Sequence, residues 1–115
     1  MASLDMLGPY NLTNNEIDRV ITRTSPGNYA LGYTKEKTFN VCYVGRSDND
    51  VNARLKSWVG KTSQPQFKFS YASSAKTAFE KECHNYHDFN PVDNTIHPDR
   101  PANTNWKCPR CNIFD

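Results

Sequence analysis

The 115-residue sequence predicts an α/β (α+β) domain: a small, mostly antiparallel three-stranded sheet flanked by helices. Three observations predict it. Residues 28–33 and 39–44 alternate at period two around a polar stretch. Val51, Arg54, Leu55 and Trp58 recur as one helical stripe. A further alternating run, Phe67 to Tyr71, leads into a second helical pattern.

Taken in chain order, Thr13-Asn14-Asn15-Glu16 precedes Ile17, Val20 and Ile21, the signature of a capped short helix with one apolar side. Leu7-Gly8-Pro9-Tyr10 reads as its lead-in. Next comes a hairpin. Thr34 to Thr38 forms the polar turn, and symmetry about Glu36 sets Tyr29 opposite Tyr43, Leu31 opposite Val41 and Tyr33 opposite Phe39. Both phenols then project from one surface.

After the break at Arg46-Ser47-Asp48-Asn49, the first helical stripe carries Arg54 among apolar residues. Arginine enters such a stripe when it is paired or its stem reaches an edge, and its forked guanidinium suits phosphate oxygens. A structural salt bridge is the competing reading. In the second helix, opened by Ser73-Ser74, Ala78, Phe79, Glu82, Tyr86 and Phe89 share a face. Glu82 interrupts that stripe as a carboxylate suited to a hard divalent cation, whereas Glu80 lies off it.

The last third carries soft ligands. Cys108-Pro109-Arg110-Cys111 is a C-x-x-C knuckle, and Cys83 and His87 lie four apart on one helix, so the four predict a Cys₃His zinc site. A redox pair at Cys108 and Cys111, a purely packed Cys83, and His84 or His97 in place of His87 are the alternatives. Cys42, alternating within a strand, reads as core.

Composition bounds the rest. With 37% hydrophobic residues the chain can bury one modest core, so one domain is expected, with residues 1–25 an N-terminal helical extension, 26–94 the core and 95–115 a Cys-containing C-terminal extension. No apolar run is long enough for a membrane span, no leader is evident, and an intracellular chain, cytoplasmic or nuclear, with no membrane partner is expected. Four cysteines then favour metal ligation over disulfides. A net charge of +2 alone does not argue for nucleic acid, but Arg46, Arg54, Lys56, Lys61 and Lys68 beside Trp58 and Tyr71 could line a phosphate-binding face.

The order Gly27-Asn28-Tyr29, Tyr43-Val44-Gly45, Arg54 in the next helix and Glu82 in a later one resembles the GIY-YIG nuclease superfamily, from about Pro26 to Asn94. Asn28 departs from the apolar residue usual in the first word, and Val44 stands for isoleucine in the second. The resemblance implies metal-dependent cleavage of phosphodiester bonds, with DNA the expected partner. It assigns Tyr29 or Tyr43 to the attacking water, with Tyr29 favoured as base, and Arg54 to the phosphate. Glu82 takes one Mg²⁺ or Mn²⁺, and Asn94, with Asn90 its competitor, closes the site. Arg46, Lys56 and Trp58 are the expected substrate contacts, and a protein partner supplying specificity is expected from size alone. The alternatives are a binding module for nucleic acid or protein that keeps the framework without turnover, and a zinc-knuckle interaction protein whose tyrosines merely pack.

Overall fold

The computed structural model describes residues 4–94 and 96–114. In chain order the elements are β1 (Leu7–Asn11), α1 (Asn14–Val20), β2 (Gly27–Lys35), β3 (Thr38–Ser47), α2 (Val51–Lys56), β4 (Gln66–Tyr71) and α3 (Ala75–Phe89). The strands form one antiparallel sheet in the order β1-β4-β2-β3. The sheet is therefore four-stranded, not three. Leu7 to Asn11, expected as a lead-in, pairs with β4, and its register slips between Leu7 and Tyr10. Gly8 and Pro9 hide the strand in the sequence, yet a proline is tolerated on an edge strand, where its missing N–H costs no ladder bond.

Each helix starts at a side-chain cap. Thr13 Oγ1 accepts from Glu16 N (3.2 Å), Asp50 Oδ1 from Ala53 N (3.4 Å) and Ser74 Oγ from Thr77 N (3.1 Å). Asn90 ends α3 in the left-handed region, at φ 45°. It is a helix terminator.

The hairpin differs from the symmetric expectation by two one-residue shifts that together restore the face but not the pairing. Its turn is only Glu36-Lys37, both at positive φ (52° and 67°), as a two-residue hairpin turn requires. Counted out from that turn, Tyr29 would oppose Val44, and Tyr43 would fall on the other face. A bulge corrects this. Gly32 pairs with Val41 but Leu31 pairs with Tyr43, so Cys42 has no partner and Tyr29 comes to oppose Gly45. Tyr29 and Tyr43 therefore share a face as diagonal neighbours, with rings stacked at 6.2 Å. Tyr33 opposes Asn40, not Phe39, and Val41 turns to the face away from Leu31.

One face of the sheet packs Tyr29, Leu31, Phe67 and Phe69 against Ile17 and Ile21 near α1 and against Val51 and Leu55 of α2. The other packs Ala30 and Val44 with Leu4 and, more loosely, Val41, Tyr86 and Phe89, under α3. The buried Asn28 belongs to this second face, where its Nδ2 donates to Ala78 O at 2.8 Å and ties β2 to α3. That bond explains a polar residue inside the first tyrosine word.

The outer edge of β3 is closed by the chain leaving α3. Asp93 N donates to Cys42 O (2.8 Å), while Asn94 accepts from Val44 N (2.8 Å) and donates to Val44 O (3.0 Å). An otherwise open edge is thereby satisfied.

Gly45 is fixed by close approach, because a Cβ there would lie 2.5 Å from both Cζ and Oη of Tyr29. A Gly45→Ala variant is expected to lose about 1–3 kcal/mol of stability, an overpacking cost, read from the denaturant midpoint. An unchanged midpoint would show that the ring has room to move.

Candidate active site and metal-ligand cluster

The edge strand β3 is where the two faces of the sheet meet around one cavity. Tyr29, Tyr43, Gly45, Arg46, Asp48, Arg54, Trp58, Glu82 and Asp99 line a space of about 260 Å³. The phenols, Arg54 and Trp58 come from the α2 face. Arg46 projects to the other side, since it neighbours Asn28 across the ladder, and there it meets Glu82 of α3. Gly45 leaves no side chain between them.

The two arginines differ sharply. Arg46 Nη1 donates to Glu82 Oε1 at 2.6 Å and its Nε to Asp48 Oδ1 at 2.8 Å, both with little exposure of the guanidinium. Burial works against that charge, but Asp48 and Glu82 outweigh it and hold the Arg46 pKa above its ordinary value. Arg54 is exposed and has no ion-pair partner among the described residues, so the salt-bridge reading fails for it. Its helix is shorter than the stripe suggested, ending at Lys56, and the side chain reaches the cavity rim instead of the core. Arg54 is the guanidinium free to take an anion.

Burial favours the protonated form of both phenols. Trp58 Nε1 donates to Tyr29 Oη at 2.8 Å, and Tyr29 is only 2% exposed. Burial pushes the Tyr29 phenol far above its usual value, more than the Trp58 N–H can offset. Tyr43 is half-buried, its ring 4.9 Å from that of Trp58, and burial together with Glu82 raises it too. Burial likewise pushes Glu82 above the usual carboxylate range, with Arg46 opposing. Three carboxylates, Glu82, Asp48 and Asp99, thus face two guanidinium groups. Such a balance suits a cavity that takes a cation along with an anion.

Other expected site residues lie elsewhere. Lys56 pairs with Asp18 of α1 at 2.6 Å and does not line the cavity. Lys68 lies over the Phe39 ring, 5.3 Å away, and the Tyr71 hydroxyl accepts from Thr22 N. The basic face imagined from the sequence is dispersed. Asn94 is outside the cavity lining and acts on the edge of β3 between Tyr43 and Gly45. Asp48 and Asp99 were missed. Only Asp48's nearness to Arg46 hinted at it, and nothing in the pattern singled out Asp99.

A second constellation joins α3 to the C-terminal segment. Ligand atoms of His87, His97, Cys108 and Cys111 lie within 4.8 Å of one another. The two Nε2 atoms are 3.3 Å apart, His87 Nε2 is 3.5 Å from Cys108 Sγ, and His97 Nε2 is 3.4 Å from Cys111 Sγ. A tetrahedron with ~2.0 Å metal–nitrogen and ~2.3 Å metal–sulfur bonds has edges of about 3.3–3.8 Å. The spacing fits an ion such as zinc. His97 Nδ1 is 2.7 Å from Pro98 O, a contact that fixes the tautomer leaving Nε2 as the ligand atom. Arg110 N donates to Cys108 Sγ, and an Arg110–Asp88 ion pair fastens the knuckle to α3.

Cys83 is not in this group. It is fully buried with Phe79 and Cys108, with Trp106 and Phe114 packed alongside, and burial together with Cys108 pushes its thiol up. The expected Cys₃His set becomes Cys₂His₂, with His97 in place of Cys83 and His87 retained. The signal was the four-residue spacing of Cys83 from Phe79, which puts it on the apolar stripe.

No protein-family model, curated protein or solved structure matches the chain. Among the described residues no helix is long and apolar enough to cross a membrane.

The revised ligand set separates two variants. His97→Ala should abolish metal retention in protein purified without an affinity tag, whereas Cys83→Ser should retain the metal and lower the melting temperature. Elemental analysis and a thermal melt check both, and metal lost only from Cys83→Ser would reinstate the first set.

Proposed function

We propose that the chain is a metal-dependent nuclease that hydrolyses phosphodiester bonds, with DNA its substrate, on a framework resembling the GIY-YIG superfamily. One observation carries the reading: Tyr29, Tyr43, Arg54 and Glu82, far apart in sequence, all line one cavity. Each has a role its surroundings suit. The unpaired Arg54 holds a phosphate oxygen, as a forked donor does best. Tyr43, half-buried at the cavity wall, orients the attacking water along the line of displacement. Tyr29 is held by Trp58 and stacks behind Tyr43, so proton transfer to it needs the phenol drawn down by positive charge. Glu82 offers the oxygen not used by Arg46 to a Mg²⁺ or Mn²⁺ ion, whose Lewis acidity would stabilise charge on the phosphoryl oxygens.

A second reading rests on the Arg46–Glu82 contact. At 2.6 Å it leaves the carboxylate neutralised, as in a site that binds phosphate without turnover. Supercoiled plasmid distinguishes the two. With Mg²⁺ the protein should nick it, and Glu82→Ala or Arg54→Ala should each reduce the rate by about 10²-fold or more. Nicking equal in all three proteins would mark a contaminant and end the enzymatic reading.

Zinc is the ion proposed for His87, His97, Cys108 and Cys111, because two imidazoles and two thiolates at tetrahedral spacing suit it best. It would order a segment that carries no helix or strand after Phe89 among the described residues.

A further inference from the structure

Two sites described separately share two stretches of chain. On α3, Glu82 faces the cavity and His87 faces the metal-ligand cluster, five positions on. On the C-terminal segment, His97 is a cluster ligand and Asp99, two positions on, lines the cavity. Between them runs a packed bridge. Arg46 lies over the Phe79 ring (5.1 Å), Phe79 packs on Trp106 and Phe114 (5.9 Å each), and Arg100 lies over Phe114 and donates to Trp106 O.

We propose that the Cys₂His₂ metal site assembles the cavity by delivering Asp99 to it, and that Asp99 and Glu82 together bind the divalent cation. This rests on the nuclease reading above and adds a second ligand to it. Each carboxylate has the required capacity. Glu82 uses one oxygen for Arg46, Asp99 uses Oδ1 for Arg100 N (2.9 Å), and neither has a hydrogen bond to its other oxygen among the described residues. Asp48 likewise gives one oxygen, Oδ1, to Arg46 Nε and stands as the cavity's third carboxylate.

The charge balance gives Asp99 its meaning. Without it, Glu82 and Asp48 just balance Arg46 and Arg54. With it the cavity carries an excess carboxylate, which opposes a phosphate unless a cation is also bound. Asp99 therefore makes little sense as a phosphate contact and good sense as a cation ligand. Magnesium is commonly held through one or two carboxylates with waters completing its shell, which matches this pair. The position of Asp99 depends on the second metal, because the segment that carries it is tethered through His97, Cys108 and Cys111.

The test is Mn²⁺ binding to the zinc-loaded full chain, followed by loss of the free-ion electron paramagnetic resonance signal. Wild type should bind about one Mn²⁺. Asp99→Asn should weaken it by at least about tenfold, with zinc content and melting temperature unchanged. His97→Ala, which keeps the Asp99 carboxylate but loses the tether that positions it, should weaken it to the same degree, and combining the two changes should add little. Equal Mn²⁺ affinity in wild type and Asp99→Asn overturns this inference and leaves the nuclease reading standing. Normal affinity in His97→Ala overturns the coupling between the sites. No Mn²⁺ binding by wild type removes the cation-dependent reading itself, and this inference with it.

Discussion

Tyr43 faces Tyr29 only because β3 carries one residue more than β2 does. The two-residue turn at Glu36-Lys37 is the tightest connection available, but by itself it would send Tyr43 to the face covered by α3. Cys42 absorbs the difference as an unpaired residue, and its freed carbonyl is taken by Asp93 N. The same segment then caps Val44 through Asn94. Turn, bulge and edge closure are therefore one device. Gly45 completes it, since the Tyr29 ring lies where its Cβ would be.

That register has an electrostatic consequence. By placing Gly45 between residues of opposite faces, β3 lets phenols from one side and an ion pair from the other border the same space. Arg46 is neutralised by Glu82 and Asp48, and Arg54 has no ion-pair partner among the described residues, so the cavity combines one committed cation with one available. Burial raises the Tyr29, Tyr43 and Glu82 protonation equilibria together, and all three shifts favour neutral forms. Any chemistry requiring their charged forms needs added positive charge close by. The excess of carboxylates at the rim is the part of the cavity that can attract it.

Much of this was legible in the sequence where local periodicity governs structure. The hairpin strands, the Thr13 and Ser74 caps and the burial of Val51 and Leu55 follow from alternation, side-chain capping and helical spacing. The shared face of Tyr29 and Tyr43 was reached for an incomplete reason, because the shorter turn and the bulge each shift the register by one residue and together restore the face. What stayed hidden depends on long-range contacts. β1 is masked by Gly8 and Pro9, Lys56 is diverted by Asp18, the expected contact Arg46 is tied to the distant Glu82, and Asp99 comes to the cavity from a segment far along the chain.

The candidate metal ligands show the same division more finely. Cys83 and His87 have ideal helical spacing for a shared ion, yet the helix face decides otherwise. Cys83 continues the stripe that starts at Phe79 and is enclosed by aromatic rings, where a thiolate would lose its hydration without gaining a cation in direct contact. One turn on, His87 is only partly buried and meets His97, brought in from the Pro-rich segment. Cys83 still contributes, because it packs against the ligand Cys108 from the core side. A helix can therefore supply a ligand from one position and the apolar support of another ligand from the turn before.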